Sequence, residues 1–359
     1  EIITNEIPKE TNYKIFYLNI KNKFNILNKF IINNIKIKFN KNINQHISDS
    51  NFQCLILPFN KENYSVENYS DEYTFWLGVP WEQDADETSN IIGASHCDLL
   101  IIDHYSLDFS WENKFSYKCK KIMAIDDLAN RKHSCDYLLD HNFFVDAEVR
   151  YSKLLMNRCI QLCGPTYALI KSNIIEARNN RIATYKLSGN KVLTCLVFMG
   201  GADVIGGSKL ITETILKNFD NIKVQLILGK SNPQVNSIKN IYASSSKVSV
   251  FIQPTDYAER LSKVDFVVGA GGVSVLERFC LGVPAFVFNV ANNQNEICRN
   301  LKFSGAADYV GTLHDTSSSI SNLIASFKGI SKPKMNKMML AGRKLVDGLG
   351  VERILDIIL

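Results

Sequence analysis

Residues 264–284 read V-D-F-V-V-G-A-G-G-V-S-V-L-E-R-F-C-L-G-V-P, a buried-strand pattern that breaks into glycines and restarts as a helix. The strand is expected to end at Gly269 and the helix to begin near Ser274. Lacking side chains, Gly271 and Gly272 let backbone N–H groups at a helix N-terminus come close to an anion, and the helix dipole favours a diphosphate there. Ser274 would cap the helix or donate to an oxygen. Glu277, three residues on, would accept hydrogen bonds from vicinal hydroxyls such as a ribose diol. The same residues also fit a plain strand-to-helix turn in which Ser274 and Glu277 form a capping box. The run matches neither a Walker A loop nor a G-x-G-x-x-G fingerprint, which argues against ATP and NAD.

A second glycine turn, F-M-G-G-A-D at 198–203, follows an earlier apolar run, so Gly200 and Gly201 would face the same diphosphate from the other side. Phe251 and Ile252 end another run and would offer a ring face and backbone amides to a base; Phe251 also fits a simple core position. In A-N-N-Q-N (291–295), Asn293 and Gln294 have the donors and acceptors to read sugar hydroxyls, or else form a polar loop with Asx turns. In I-I-D-H-Y (101–105), Tyr105 and His104 would do proton chemistry or orient a phosphate, with Asp103 fixing a neighbouring loop; a buried, satisfied Asp or His is the alternative. Asp126 and Asp127 read as turn or capping chemistry, since no third ligand at useful spacing makes a metal site. His133 and His141 are unassigned, and the six histidines form no zinc pattern.

The elements that must position these residues are legible as periodic runs. From about residue 52, short apolar runs alternate with amphipathic stretches and Gly- or Asp-containing turns, the signature of βα units around a parallel sheet. The runs fall into two sets separated by the charged stretch 174–186, which gives a first Rossmann-like domain over 51–185 and a second over 186–359. Residues 1–50 are different material: all 19 glycines lie from Gly78 onward, and 19–44 use only Ile, Lys, Asn, Phe and one Leu. Parts of 14–44 alternate well enough for strand, but the favoured reading is a degenerate segment, of the kind AT-rich or frame-shifted coding sequence would produce. With 359 residues the chain can bury two cores, and 41 basic against 36 acidic residues leave +5, spread without an Arg cluster. Nucleic-acid and membrane partners gain nothing from that. Nine cysteines without a C-x-x-C pair suggest reduced thiols and a cytoplasmic protein. No apolar stretch approaches the roughly 20 residues of a membrane span, and no basic start followed by an apolar run and a small-residue cleavage site appears. The first residue is Glu1, as in a fragment of a longer chain.

Together these motifs resemble one family, the UDP-2,4-diacetamido-2,4,6-trideoxy-beta-L-altropyranose hydrolases of pseudaminic acid biosynthesis. The matching stretches are WLGVPWEQDADET (76–88), IIDHYSLDFSWE (101–112), IDDLANRKHSCDYLLDHN (125–142), CGPTYALI (163–170), FMGGAD (198–203), GAGGVSVLERFCLGVP (269–284), ANNQ (291–294) and LVDGLGVERIL (345–355), in family order. The resemblance implies an α/β GT-B architecture, two Rossmann-like domains facing across a cleft, similar to the peptidoglycan UDP-GlcNAc transferase. It implies that Gly271, Gly272, Val273 and Ser274 meet the diphosphate, Glu277 the ribose, Phe251 and Ile252 the uracil, and that Asn293 and Gln294 lie near the sugar. It makes Tyr105 an active-site residue. The implied reaction is attack of water on the anomeric carbon with release of UDP, without metal or other cofactor, by a monomer whose partners are the UDP-sugar and UDP.

One part of the family pattern is missing. Family members begin with a strand and a loop ending Gly-His, whose histidine is the proposed general base. The only early histidine here, His46, stands in N-Q-H-I-S without matching context. The role is not transferred to it, and impaired turnover is expected, with a GT-B glycosyltransferase or an inactive nucleotide-sugar-binding protein as alternatives.

Overall fold

The structure, a computed structural model, describes residues 15–19, 28–31, 53–55, 77, 79–93, 97–156, 158–181 and 192–359. His46 and the alternating stretch 33–39 lie outside the described residues. The chain divides into two compact units. The first comprises 1–141, 146–163 and 357–359, the second 142–145 and 164–356.

The first unit is built on a seven-stranded sheet in the order β3-β2-β1-β4-β5-β6-β7. Its strands are β1 (Ile15–Asn19), β2 (Asn28–Ile31), β3 (Gln53–Leu55), β4 (Cys97–Asp103), β5 (Cys119–Ile125), β6 (Tyr137–Asp140) and β7 (Ile160–Cys163). β1 and β4 to β7 are parallel, as expected, but β2 runs antiparallel to both β1 and β3. The departure from an all-parallel sheet follows from chain length: only 20–27 join β1 to β2, and a parallel crossover needs about a dozen residues or more. Helix α1 (Trp81–Ile92) and the short α2 (Phe109–Asn113) pack together. Asp84 of the W-E-Q-D-A-D-E-T motif accepts the Trp111 indole N–H at 2.9 Å, deep in the core. At least part of that motif is therefore framework.

The second unit holds six parallel strands in the order β10-β9-β8-β11-β12-β13. They are β8 (Leu193–Phe198), β9 (Ile222–Leu228), β10 (Val248–Ile252), β11 (Phe266–Ala270), β12 (Ala285–Asn289) and β13 (Ala307–Thr312). The helices are α3 (Ser172–Asn180), α4 (Gly207–Asn218), α5 (Val235–Ile241), α6 (Tyr257–Lys263), α7 (Ser274–Leu281), α8 (Asn295–Leu301), α9 (Thr316–Lys328), α10 (Lys332–Leu345) and α11 (Gly350–Ile358). β11 and β12 are buried at every residue, which is why they read as unbroken apolar runs. Phe266, Phe286 and Phe327 lock the core with ring centroids 5.0–5.5 Å apart. α3, in the stretch expected to link the halves, packs on α6 and α7 of this unit.

Strand order reverses between β8 and β11, with Phe198 paired to Gly269. Ligands in open α/β sheets bind beyond the carboxyl ends of strands at such a reversal. Both glycine turns leave the sheet at this point. Among the described residues, no helix is long and apolar enough to cross a membrane.

Candidate functional site

The turn after β11 starts α7 without a side-chain cap. The N-cap position is Val273, in helical conformation, and Ser274 is the first helical residue. Ser274 thus does not cap, and no capping box with Glu277 forms. The Ser274 Oγ instead accepts from Arg278 Nη2 at 3.1 Å. The four first amides of a helix have no partner within it, and those of Val273 and Ser274, with Gly272 just before, meet no side-chain acceptor among the described residues. Gly271 differs: its N–H donates to Phe288 O at 3.0 Å, inside the fold. The expectation that Gly271 offers its amide to an anion is therefore corrected. A Cβ there would lie 2.1 Å from Cys298 Sγ, so that glycine serves packing. At Gly272 a Cβ would meet only Gln294 Nε2, at 3.4 Å, which also places the Gln294 amide beside the turn.

The first bend is built by different means. Gly200 has φ +95°, the left-handed region that glycine enters at little cost, and a Cβ at Gly200 or Gly201 would meet nothing within 4 Å. The bend is thus open on that side. Beneath it, Gly229 at the end of β9 touches the Gly201 backbone so closely that a Cβ would fall 2.0 Å from Gly201 O. The N-terminus of α4, however, is taken by the protein itself. Buried Asp203 accepts from the Gly207 and Ser208 amides at 2.8 and 2.9 Å, with Asn232 Nδ2 at 3.4 Å. Burial raises its carboxyl above the usual range, against these hydrogen bonds.

Glu277 lies on the first turn of α7, half-buried, and burial raises its carboxyl, partly offset by the charges of Lys171 and Arg278. Gln294 closes a 3₁₀ turn, Asn292–Gln294, after β12, its Oε1 accepting from Val290 N at 3.3 Å. Asn293 is half-exposed on the same turn. Phe251 and Ile252 end the edge strand β10, two strands from β8, where one side of the backbone has no ladder partner. One face of the Phe251 ring is already covered: the Arg260 guanidinium stacks 3.6 Å from its centroid, held by Asp256 at 2.7–2.8 Å. Any base stacking on Phe251 must use the other face.

In the first unit, Asp103, His104 and Tyr105 turn out of β4, the strand beside β1 at that sheet's own reversal of order. The Ser106 amide donates to His104 Nδ1 at 2.9 Å, so Nδ1 is the acceptor and the neutral tautomer carries its proton on Nε2. His104 is buried, while Tyr105 and Asp103 are half-buried. Arg131 holds the turn through its carbonyls, donating to His104 O at 3.2 Å and Leu107 O at 2.8 Å. Its Nη1 pairs with Asp126 Oδ1 at 2.6 Å, and Asp126 Oδ2 accepts from the Ala129 amide at 2.9 Å, the turn chemistry expected of it. His133, unassigned from sequence, stands between two buried acids, with Nδ1 2.7 Å from Glu112 Oε1 and Nε2 3.9 Å from Asp126 Oδ2. Burial alone would lower its pKa; the neighbouring carboxylates instead carry it up to about 9. Asp126 is held well below the usual carboxylate range, burial being outweighed by Arg131 and His133.

Sequence reasoning missed Gly229, Asp203, Arg131 and Arg278. Gly229 carried a signal, a glycine at a strand end; the others are single charged residues that bind mainly backbone amides, carbonyls and a hydroxyl, which leave no charge pattern in the sequence.

No protein-family model matches the chain. It is 26% identical to the UDP-2,4-diacetamido-2,4,6-trideoxy-beta-L-altropyranose hydrolase of Campylobacter jejuni over 240 residues, 65% of this chain and 78% of that protein. Among solved structures, MurG of Acinetobacter baumannii superimposes with a TM-score of 0.57 at 12% identity, covering 88% of this chain and 87% of that one. The UDP-GlcNAc 2-epimerase of Neisseria meningitidis, solved with UDP-GlcNAc bound, gives 0.55 at 15% identity and 88% of each chain. In fold the chain is thus an α/β protein of the GT-B kind, and in sequence it resembles the Campylobacter altropyranose-derivative hydrolase.

Proposed function

We propose that the second unit binds UDP and that the protein belongs to the chemistry of UDP-linked 2,4-diacetamido-2,4,6-trideoxy sugars, which the Campylobacter relative's name specifies. The observation that carries the reading is the turn at 272–274: uncapped amides at the start of α7, at the strand-order reversal, beside Gln294. On this reading the amides of Gly272, Val273 and Ser274 hold the diphosphate and Glu277 accepts from the ribose diol. Phe251 and Ile252 meet the uracil, Asn293 and Gln294 meet the sugar, and Gly200 and Gly201 leave room for the diphosphate to pass. Hydrolysis would form a bond from water oxygen to the anomeric carbon and break that carbon's bond to the diphosphate oxygen. The water proton goes to a base, and UDP departs with its charge spread over hydrogen-bonded oxygens. Tyr105 and its neighbours Asp103 and His104 are the proposed catalytic turn.

A second reading, UDP-sugar binding with little turnover, has one observation in its favour. Residues 20–27, which follow the first strand where the family carries its Gly-His loop, read I-K-N-K-F-N-I-L and contain no histidine. Absence of a positioned base forfeits roughly 10²–10⁴ in rate.

Calorimetric titration with UDP tests the binding claim, and UDP release from the UDP-sugar in water tests the reaction. Binding with release above a buffer blank supports the hydrolase; binding without release leaves only the second reading. Release that depends on an added sugar acceptor would make the protein a glycosyltransferase, and no UDP binding at all would overturn every version.

A further inference from the structure

Arg278 is fully buried and has no carboxylate at ion-pair distance among the described residues. Isolated buried charges are expensive, so a cation kept in such a place needs a reason. It lies at the root of both glycine turns: a Cβ on Gly269 would fall 2.5 Å from its Nη2 and 2.5 Å from Phe198 O, the last carbonyl of β8. Nη1 donates to Ala270 O at 3.2 Å, Nη2 donates to Ser274 Oγ, and Nε has no hydrogen-bond partner among the described residues. The half-buried Tyr257 and Glu277 stand nearby, and burial is the main influence lowering the guanidinium's pKa, opposed by both neighbours.

A guanidinium has no acceptor, so in the Arg278–Ser274 contact the serine oxygen must accept. Its own proton is then directed elsewhere, and an oxygen accepting from a cation becomes a stronger donor. Ser274 is half-buried on the first turn of α7, beside the uncapped amides. We infer that Arg278 is a positioning residue for a diphosphate ligand: from beneath the turn it fixes and polarises the Ser274 hydroxyl, which donates to a phosphate oxygen. The inference rests on the proposed UDP site and adds to it a buried cation that never touches the ligand.

The test compares UDP with uridine by calorimetry for the wild-type protein, Ser274→Ala, Arg278→Met, Arg278→Lys and the Ser274→Ala/Arg278→Met double variant. Expected are roughly 10-fold or greater losses of UDP affinity in Ser274→Ala and Arg278→Met, the scale of one charge-assisted hydrogen bond. Uridine affinity should stay within about 2-fold, Arg278→Lys should retain more UDP affinity than Arg278→Met, and the double variant should be no worse than the poorer single one. Equal losses for UDP and uridine, or multiplying losses in the double variant, would overturn the inference while leaving the UDP site standing. Wild-type protein that fails to bind UDP would instead overturn the site itself. Should Arg278→Met fail to fold, Ser274→Ala and Arg278→Lys decide: an unchanged UDP-to-uridine ratio in Ser274→Ala overturns the proposal.

Discussion

Gly271 and Gly272 are neighbours with different tasks. Gly271 is spare of a side chain because Cys298 fills the space, while Gly272 faces only the amide end of Gln294. Gly271→Ala should therefore destabilise the protein by about 1–3 kcal/mol through overpacking, and Cys298→Ala in the same chain should recover part of that, read from thermal or urea unfolding. Gly272→Ala should leave stability within about 0.5 kcal/mol; equal damage at both positions would contradict this assignment. The pair was visible in the sequence as a strand-end glycine turn, but its division of labour was not, since it depends on a cysteine 27 positions downstream. α7 begins at Ser274 as expected, but that serine is the first helical residue and not the cap. Serine favours N-caps, but here Arg278, one turn on, claims its oxygen.

The loop after β4, α2 and the segment 126–134 form one electrostatic assembly. Arg131 grips the carbonyls of His104 and Leu107, Asp126 grips Arg131, and His133 joins Asp126 to Glu112 of α2. His133→Leu would leave two buried carboxylates facing a single guanidinium, a loss on the order of 3–5 kcal/mol. The pH dependence has a definite sign. Because the folded pKa of His133 lies at about 9 against an ordinary 6.5, its contribution is complete below about pH 6.5 and fades as pH rises through 9. Denaturant midpoints followed from pH 6 to pH 10 should fall in the wild-type protein and fall less in His133→Leu; parallel curves would refute the assignment. None of this was readable from spacing: Glu112, Asp126 and His133 come from separate elements, and only the fold brings their charges together.

Topology was the most legible level, because fully buried parallel strands announce themselves as apolar runs and the crossovers between them as amphipathic ones. In the second unit β8, β11 and β12 follow that pattern closely, whereas β10 and β13 are only partly buried. What escaped was the antiparallel β2, since a run of Ile, Lys and Asn specifies neither direction nor partner. Also hidden was how α3 is held. Arg178 donates to Val346 O at 2.9 Å and Arg343 O at 3.2 Å, and also to Cys280 O, so one side chain closes the carboxyl ends of α7 and α10. Arg178→Ala should lower stability by about 2 kcal/mol or more, measured by chemical denaturation, since it strips a charged donor from several carbonyls at once. A last consequence concerns Asp203, whose carboxylate already sits on the start of α4. Two helices begin where the sheet's order reverses, and one is neutralised from within. On the proposed reading, an incoming diphosphate therefore meets an uneven field, drawn to one door and turned away from the other.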